Sequence, residues 1–447
     1  MDDTNNSFYH ALTIDHDICT GCTHCMKACP TEAIRIRNGK SVIDKNKCID
    51  CGECFKACSY HAIYIKQDDF DLMDQYKYKV ALVPATFIGQ FASDVSTSQI
   101  YACLKQIGFT HIYEIEHGVS FLIDLYKKYM AEHKDINTFI SPYCPAVVRL
   151  IQTRFPSLVK NIIHMKVPLD ITSLMIREYL SREGINSEDV GVFYVSPCAA
   201  KIAAVKSPVG EDSSAIAGVI NMDFLYNKVQ HQLSKKTQGE SEPIANHSLS
   251  GKDILWELTG GESVNFDNSS FAVDGMKNVI EFLEKIEDDD IEVNGLVEMR
   301  VCDQSCVGGI LCPNNRFLAK QKLEMRAQEI KQHIENKDYK AENLFSQEEF
   351  DEKIAPMMNI PYIAPRSSFK LHDNLQIALK MVENIKNIES KLPGLDCSAC
   401  GAPTCSALAE DIIKEEATID NCLFSHLPME KYEEILKKIW GKNIKPL

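Results

Sequence analysis

The residues with the clearest chemical potential in this 447-residue sequence are its eighteen cysteines, which fall in three zones: 19–58, 103–312 and 397–422. The first zone is a repeat. CTGCTHCMKACPTEAIRI is echoed by CIDCGECFKACSYHAIYI, the copies starting 29 residues apart at Cys19 and Cys48. Each copy reads Cys-x2-Cys-x2-Cys-x3-Cys, the bacterial spacing for paired 4Fe-4S clusters, in which the fourth cysteine serves the other cluster. The spacing assigns Cys19, Cys22, Cys25 and Cys58 to one cluster and Cys48, Cys51, Cys54 and Cys29 to a second. Pro30 follows Cys29 as the pattern expects, while Ser59 stands where the second proline would be. Zinc is the competing reading of any four-thiolate set, and two complete copies of the iron spacing weigh against it.

The last zone supplies Cys397, Cys400, Cys405 and Cys422. Four thiolates at this spacing suit either a cubane or zinc. The surrounding LPGLDCSACGAPTC resembles the four-cysteine iron–sulfur module of several anaerobic redox proteins, which favours iron. In the middle zone, Cys144, Cys198, Cys302 and Cys306 sit in the segments SPYCPAVVRL, VSPCAAK and EMRVCDQSCVGG. They can converge on a further cluster, but a free cysteine is also a common small core residue, and spacing alone does not choose. Cys103, on the apolar face of a helix in SQIYACLKQIGF, and Cys312, in ILCP, read as core.

Positioning these groups needs several elements. The length predicts about three domains. Residues 1 to about 66 hold the repeat and its short strands, with little apolar core, so bound clusters must supply much of its stability. From about 75 to 385 the pattern is α/β. YKVALVPATFIG, DINTFISPYCPAVVRLI, VGVFYVSPCAAKIAAV and NGLVEMRVCDQSCVGG each read as a strand running into a loop, three with cysteines just after the strand. Open α/β sheets carry their sites at such carboxyl ends. Residues 317–340 read as a charged amphipathic helix, residues 341–370 as an irregular linker, and SALAEDIIKEEAT as a helix between Cys405 and Cys422. Sixty-three acidic against forty-eight basic residues give a net charge of −15, which disfavours nucleic-acid or membrane-surface partners. No apolar run spans a bilayer, and the acidic, polar N-terminus is unlike a secretory signal. These features lead us to expect a cytoplasmic protein, in a compartment where disulfides are rare and metal binding is the first reading of the cysteines.

The three middle segments resemble the signature loops of the FeFe-hydrogenase catalytic domain: Thr-Ser-Cys-Cys-Pro, Pro-Cys-x-x-Lys, and Glu-x-Met-x-Cys-x3-Cys followed by Gly-Gly. Here they read Ser141-Pro142-Tyr143-Cys144-Pro145, Pro197-Cys198-Ala199-Ala200-Lys201, and Cys302-x3-Cys306 with Gly308-Gly309. VPA at 83–85, TGG at 259–261 and AVDGMKNV at 272–279 also resemble family segments. Overall the chain is most similar to group B clostridial-type members. The resemblance implies an α/β fold: an FeFe-hydrogenase-like catalytic domain over 71–385, a small α+β two-cluster ferredoxin-like domain over 1–70, and a small, mainly α 4Fe-4S module over 386–447.

It also implies an H-cluster, a 4Fe-4S cubane joined to a diiron unit carrying CO, cyanide and an azadithiolate. In that reading Cys144, Cys198, Cys302 and Cys306 bind the cubane and Cys306 bridges to the diiron unit. Lys201 contacts one cyanide, and the backbone around Pro84 and Ala85 lies near the other. Reversible reduction of protons to dihydrogen is the implied reaction, with a ferredoxin-type donor and dedicated maturation proteins as partners. No Gly-x-Gly-x-x-Gly nicotinamide or flavin fingerprint is present.

The pattern also departs from the family. Tyr143 stands where the family's proton-passing cysteine would be, and a phenol near pKa 10 is a poorer relay than a thiol. Ser196 and Arg300 replace two methionines that pack on the diiron unit. The helix over VSFLIDLYKKYM lacks the expected glutamates, Asp124 being the nearest acid. Arg300 could pair with Glu298 or a cluster ligand, or face solvent. Two alternatives to a hydrogenase stay open on these grounds: a hydrogen-sensing regulatory protein, and an electron-transfer protein of this fold without the diiron unit.

Overall fold

The computed structural model describes residues 8–235, 249–267, 269–335, 344–366, 371, 374–425 and positions 431, 434 and 438. The chain folds as two compact units. One comprises Met1–Ala11, Ile49–Gly52 and Ile65–Pro365; the other comprises Leu12–Cys48, Glu53–Tyr64 and Arg366–Leu447. The first and last cysteine zones thus contribute to one unit, and the α/β region makes up most of the other.

In the smaller unit the repeat supplies β1 (Leu12–Ile14), β2 (Ile34–Arg37), β3 (Lys40–Ile43) and β4 (Ile63–Ile65). β1 pairs with β4, and β2 with β3 as an antiparallel hairpin. Asn38 and Gly39 turn that hairpin with φ of 51° and 70°, the left-handed pair a tight two-residue turn requires. The duplication extends to the backbone: Gly21 and Asp50, Thr23 and Gly52, and Glu32 and His61 all have positive φ at matching offsets. The C-terminal part adds the helices Leu375–Glu389 and Cys405–Ile413. Thr404 caps the second by accepting from the Ala407 N–H at 3.0 Å. Leu392, Ala402, Ala407, Leu408 and Ala409 form its small core.

The larger unit contains two parallel sheets. Strands β5 (Tyr78–Val83), β6 (His111–Glu114), β8 (Val190–Ser196) and β9 (Gly218–Asn221) form one, in the order β6-β5-β8-β9. Strands β7 (Thr138–Ile140), β10 (Phe271–Asp274) and β11 (Gly295–Arg300) form the other, in the order β10-β11-β7. β8 is buried along its whole length, as continuous apolar runs covered on both faces must be. All four strands expected from the sequence are present, but β5 and β8 lie in one sheet and β7 and β11 in the other. Each ends in a site-bearing loop, and the helices Ala85–Gly89, Pro145–Arg154 and Ala199–Lys206 follow the first three of those loops.

Two segments differ from expectation. The 341–370 stretch contains the helix Gln347–Lys353, started by a capping box between Ser346 and Glu349 and anchored by Phe350 stacked on Phe121 at 4.2 Å. The helix expected over 317–340 runs Arg316–Glu335, and residues 336–340 of that expectation lie outside the described residues. Among the described residues no helix is long and apolar enough to cross a membrane.

Candidate iron–sulfur centres and the pocket at Tyr143

Cys19, Cys22, Cys25 and Cys58 line one cavity of about 340 Å³ in the smaller unit. The Ser41 N–H donates to Cys19 Sγ at 3.4 Å and the Ala62 N–H to Cys58 Sγ at 3.3 Å. Ala33, the repeat equivalent of Ala62, donates likewise to Cys29 Sγ at 3.2 Å. Amide donors aimed at sulfur stabilise thiolate charge and tune a bound cluster. Cys397, Cys400, Cys405 and Cys422 line a second cavity, of about 300 Å³. Each offers four sulfurs around one partly open space, which fits a cubane. Of the remaining repeat cysteines, Cys48 and Cys54 are buried, and Cys29 and Cys51 are half-buried.

The middle set is gathered by strand ends of the larger unit. Cys302 belongs to an apolar core cluster with Ile140, Val297 and Met299, and Cys144 and Cys198 pack against it. Cys198 feels the charges of Cys306 and Cys144, and Cys306 feels that of Cys144. Burial pushes the Cys198 thiol up to about 12 and the Cys306 thiol up to about 11; bound iron would take the protons' place. Ser196 orients the second loop, its hydroxyl donating to the Cys198 carbonyl at 2.9 Å. Gly309 lets the third loop close on the second, because a Cβ there would stand 2.5 Å from the Pro197 carbonyl oxygen. Cys103 is fully buried in its helix, as expected. Cys312 is not a plain core residue. Its thiol donates to the Cys306 carbonyl at 3.3 Å, beside the middle set.

Tyr143 dominates the space next to Cys306. Its ring is buried, with the Lys201 Nζ 3.9 Å from the ring centroid and the Arg300 guanidinium carbon 4.0 Å from it. Its hydroxyl donates to Glu257 Oε1 at 2.6 Å. Burial, then the charges of Glu257 and Cys306, hold the phenol well above its usual range, so it stays a donor. Arg300 is buried, not solvated; it donates to Glu262 Oε2 at 2.8 Å and approaches Glu298 at 3.6 Å. Glu298 in turn accepts from the N–H groups of Gly260, Glu262 and Ser263, which fixes the TGG loop. Burial disfavours the Lys201 charge, but Cys306 and Glu257 reverse that and raise its pKa.

Sequence reasoning missed the acids. Glu257 Oε2 accepts from the Thr86 N–H at 2.9 Å, and Glu116 Oε1 from the Ala85 N–H at 2.7 Å. Burial and then Glu257 push Glu116 well above the usual carboxylate range. Burial also raises Glu262, to about 7, against the pull of Arg300. A signal was present for two of these residues, since Glu257 and Glu262 flank the TGG segment.

These contacts test the diiron unit against the residues present. Ala85 and Lys201, expected to face its two cyanides, are already engaged by Glu116 and Glu257. The buried Glu257 carboxylate beside Lys201 opposes an added anion, and Tyr143 fills space between the two cations. A cavity of about 730 Å³ does border Tyr143 and Lys201, with Asp170 in a mostly apolar wall. Cys306, Pro84 and Ala85 are not among its lining residues, so it is not the place of a unit bonded to Cys306. The middle set fits a cubane, and its surroundings do not fit a cyanide-bearing diiron unit.

Comparison with known proteins places the chain. Residues 77–262 match the family described as iron only hydrogenase large subunit, C-terminal domain. Residues 11–59 match a 4Fe-4S dicluster domain, and residues 392–424 a putative Fe-S cluster family. The loop carrying Cys302 and Cys306 lies beyond the hydrogenase match. The chain is 26% identical over 332 residues to Iron hydrogenase 1 of Clostridium pasteurianum, covering 65% of this chain and 56% of that protein. It thus spans only about half the length of that relative. A variant FeFe-hydrogenase of Chlamydomonas reinhardtii is similar at 14% identity and a TM-score of 0.46, covering 65% of this chain and 95% of that one. A structure concerned with stepwise FeFe-hydrogenase H-cluster assembly is similar at 14% and 0.46, with coverage of 66% and 98%. The chain is an FeFe-hydrogenase-like iron–sulfur protein, with a segment matching the hydrogenase large subunit between two that match iron–sulfur cluster families.

Proposed function

We propose that the protein is an electron carrier built on the hydrogenase fold, with four 4Fe-4S clusters and no diiron unit. In this reading residues 1–70 hold two clusters, residues 71–385 hold one on Cys144, Cys198, Cys302 and Cys306, and residues 386–447 hold the fourth. A bound cubane stores and releases one electron. The chain's own groups do the rest. Four thiolates anchor each cluster, and the apolar shell around the middle set excludes water. Lys201 and Arg300 place two buried cations beside Cys306, favouring the more negative, reduced state, while Glu257 and Glu262 moderate that bias. A small ferredoxin-type carrier is the partner.

The observation that carries this reading is the Tyr143 ring held between Lys201 and Arg300 with its hydroxyl on Glu257. The complete middle cysteine set with Lys201 beside it favours a second reading, a hydrogenase with a whole H-cluster in which Cys306 bridges to the diiron unit. One experiment separates them. Anaerobic protein with its cubanes rebuilt is incubated with synthetic diiron cofactor, then examined by infrared spectroscopy and assayed with reduced methyl viologen. We expect no protein-bound CO or cyanide bands and no hydrogen. Bands with hydrogen evolution that disappears in Cys306→Ala would overturn the electron-carrier reading. Bands without hydrogen would move it to a sensor.

A further inference from the structure

Two of the cysteine-lined cavities in the smaller unit are joined by a single backbone hydrogen bond. Ile36, in β2, lines the cavity of Cys19, Cys22, Cys25 and Cys58. Its N–H donates to the Gly401 carbonyl at 2.9 Å, and Gly401 directly follows Cys400, which lines the C-terminal cavity. The approach depends on glycine. Gly401 has φ of 83°, and a Cβ there would stand 2.3 Å from the Ile36 carbonyl oxygen.

Charged groups hold the two backbones together. Side chains alternate along a strand, so Arg35 and Arg37 leave Ile36 to its cavity and share another face. Both reach Asp411 on the helix Cys405–Ile413, at 2.8 and 2.5 Å. The Asp411 side chain is only 3% exposed. Arg37 also donates to the Gly401 carbonyl at 3.3 Å, and Lys47 pairs with Glu410 at 3.0 Å. Burial disfavours the Arg35 charge, and its hydrogen bond and attraction to Asp411 more than reverse that. A clamp with buried charges is costly to break from one side, which suits a contact whose geometry must stay fixed.

We propose that this contact is an electron hand-over point between the C-terminal cluster and the first N-terminal cluster, across the Ile36–Gly401 hydrogen bond. The proposal rests on reading both cysteine sets as 4Fe-4S sites. One electron moves. With 4Fe-4S clusters held by these two cysteine sets, the giving cluster would pass from 1+ to 2+ as the receiving cluster passes from 2+ to 1+, with no bond or proton changing place. A low-potential one-electron donor supplies the electron. Exposed Cys397 makes the C-terminal set the side that a soluble donor can approach.

The test uses the full chain with its clusters rebuilt, reduced anaerobically with dithionite and examined by low-temperature electron paramagnetic resonance. Wild-type protein should show signals broadened by interaction between the two cluster spins. Cys422→Ala should lose about four iron atoms per chain and sharpen the signal of the first N-terminal cluster. Asp411→Asn should keep its iron and weaken the interaction. An unchanged N-terminal signal in Cys422→Ala, despite the lost iron, would overturn the hand-over. Full interaction in Asp411→Asn would overturn the role of the clamp. Zinc in the wild-type protein, or no iron lost from Cys422→Ala, would instead overturn the cluster assignment beneath the proposal.

Discussion

The Tyr143 hydroxyl donates to Glu257 at 2.6 Å with both side chains out of solvent. Without it Glu257 Oε1 keeps, among the described residues, only Lys201, 3.7 Å away, and loses its one short side-chain donor. Tyr143→Phe should therefore cost about 1–3 kcal/mol, read as a lower denaturant midpoint for the larger unit in anaerobic, cluster-loaded protein. A midpoint equal to wild type would mean that solvent already reaches Glu257.

Arg300→Met puts back the methionine that the resemblance to FeFe-hydrogenases implies here and should nonetheless be damaging. It removes the cation that faces Glu262 and Glu298 and one face of the Tyr143 cage. Breaking a buried pair from one side costs about 3–5 kcal/mol. Soluble expression and thermal unfolding of Arg300→Met beside the double variant Arg300→Met, Glu262→Gln give the check. The double variant should recover part of the loss.

Asp170 makes stability depend on pH. Burial raises its carboxyl to about 6 from the usual 3.8, with Lys166 opposing and Glu211 adding to the shift. A carboxyl that is easier to protonate in the folded state binds more protons folded than unfolded, so stability falls as pH rises from about 3.8 through about 6 and is then level. The contribution is roughly 1–3 kcal/mol. Unfolding midpoints across that window should show the fall, and Asp170→Asn should flatten it.

Four complete cysteine sets predict about sixteen iron atoms and as many acid-labile sulfides per chain after anaerobic reconstitution. Cys198→Ala should remove about four of each and leave the clusters of the smaller unit intact. Elemental analysis with sulfide determination decides the matter. A total of about twelve in wild-type protein would show that one set stays empty.

The cysteine sets were legible because cluster ligation imposes short, local spacings that a sequence displays directly. The strands were legible for a similar reason, since VGVFYVS and YKVALV are short, mostly apolar and rich in β-branched and aromatic residues. Their division between two sheets was not, because pairing is non-local and each strand alone suits either sheet. Arg300 stood out as a departure from a family pattern, yet its fate depended on Glu262, 38 residues away. Glu116 gave no local sign, and Glu257 only its place beside the TGG segment. A glutamate in a sequence reads as surface, and only the assembled loops show that these two carboxylates are buried against the backbone of Ala85 and Thr86.

The order of the chain has a consequence for biosynthesis. About 300 residues separate Tyr64 from Arg366, the point at which the smaller unit resumes. At ribosomal speeds that interval lasts on the order of tens of seconds. Throughout it Arg35 and Arg37 have emerged without Asp411, and Lys47 without Glu410. The nascent N-terminal repeat waits, half assembled, until the stretch carrying Glu410 and Asp411 has been made. Early delivery of iron and sulfide to that repeat would protect it, so the two parts of the smaller unit mature at different times although they finish as one body.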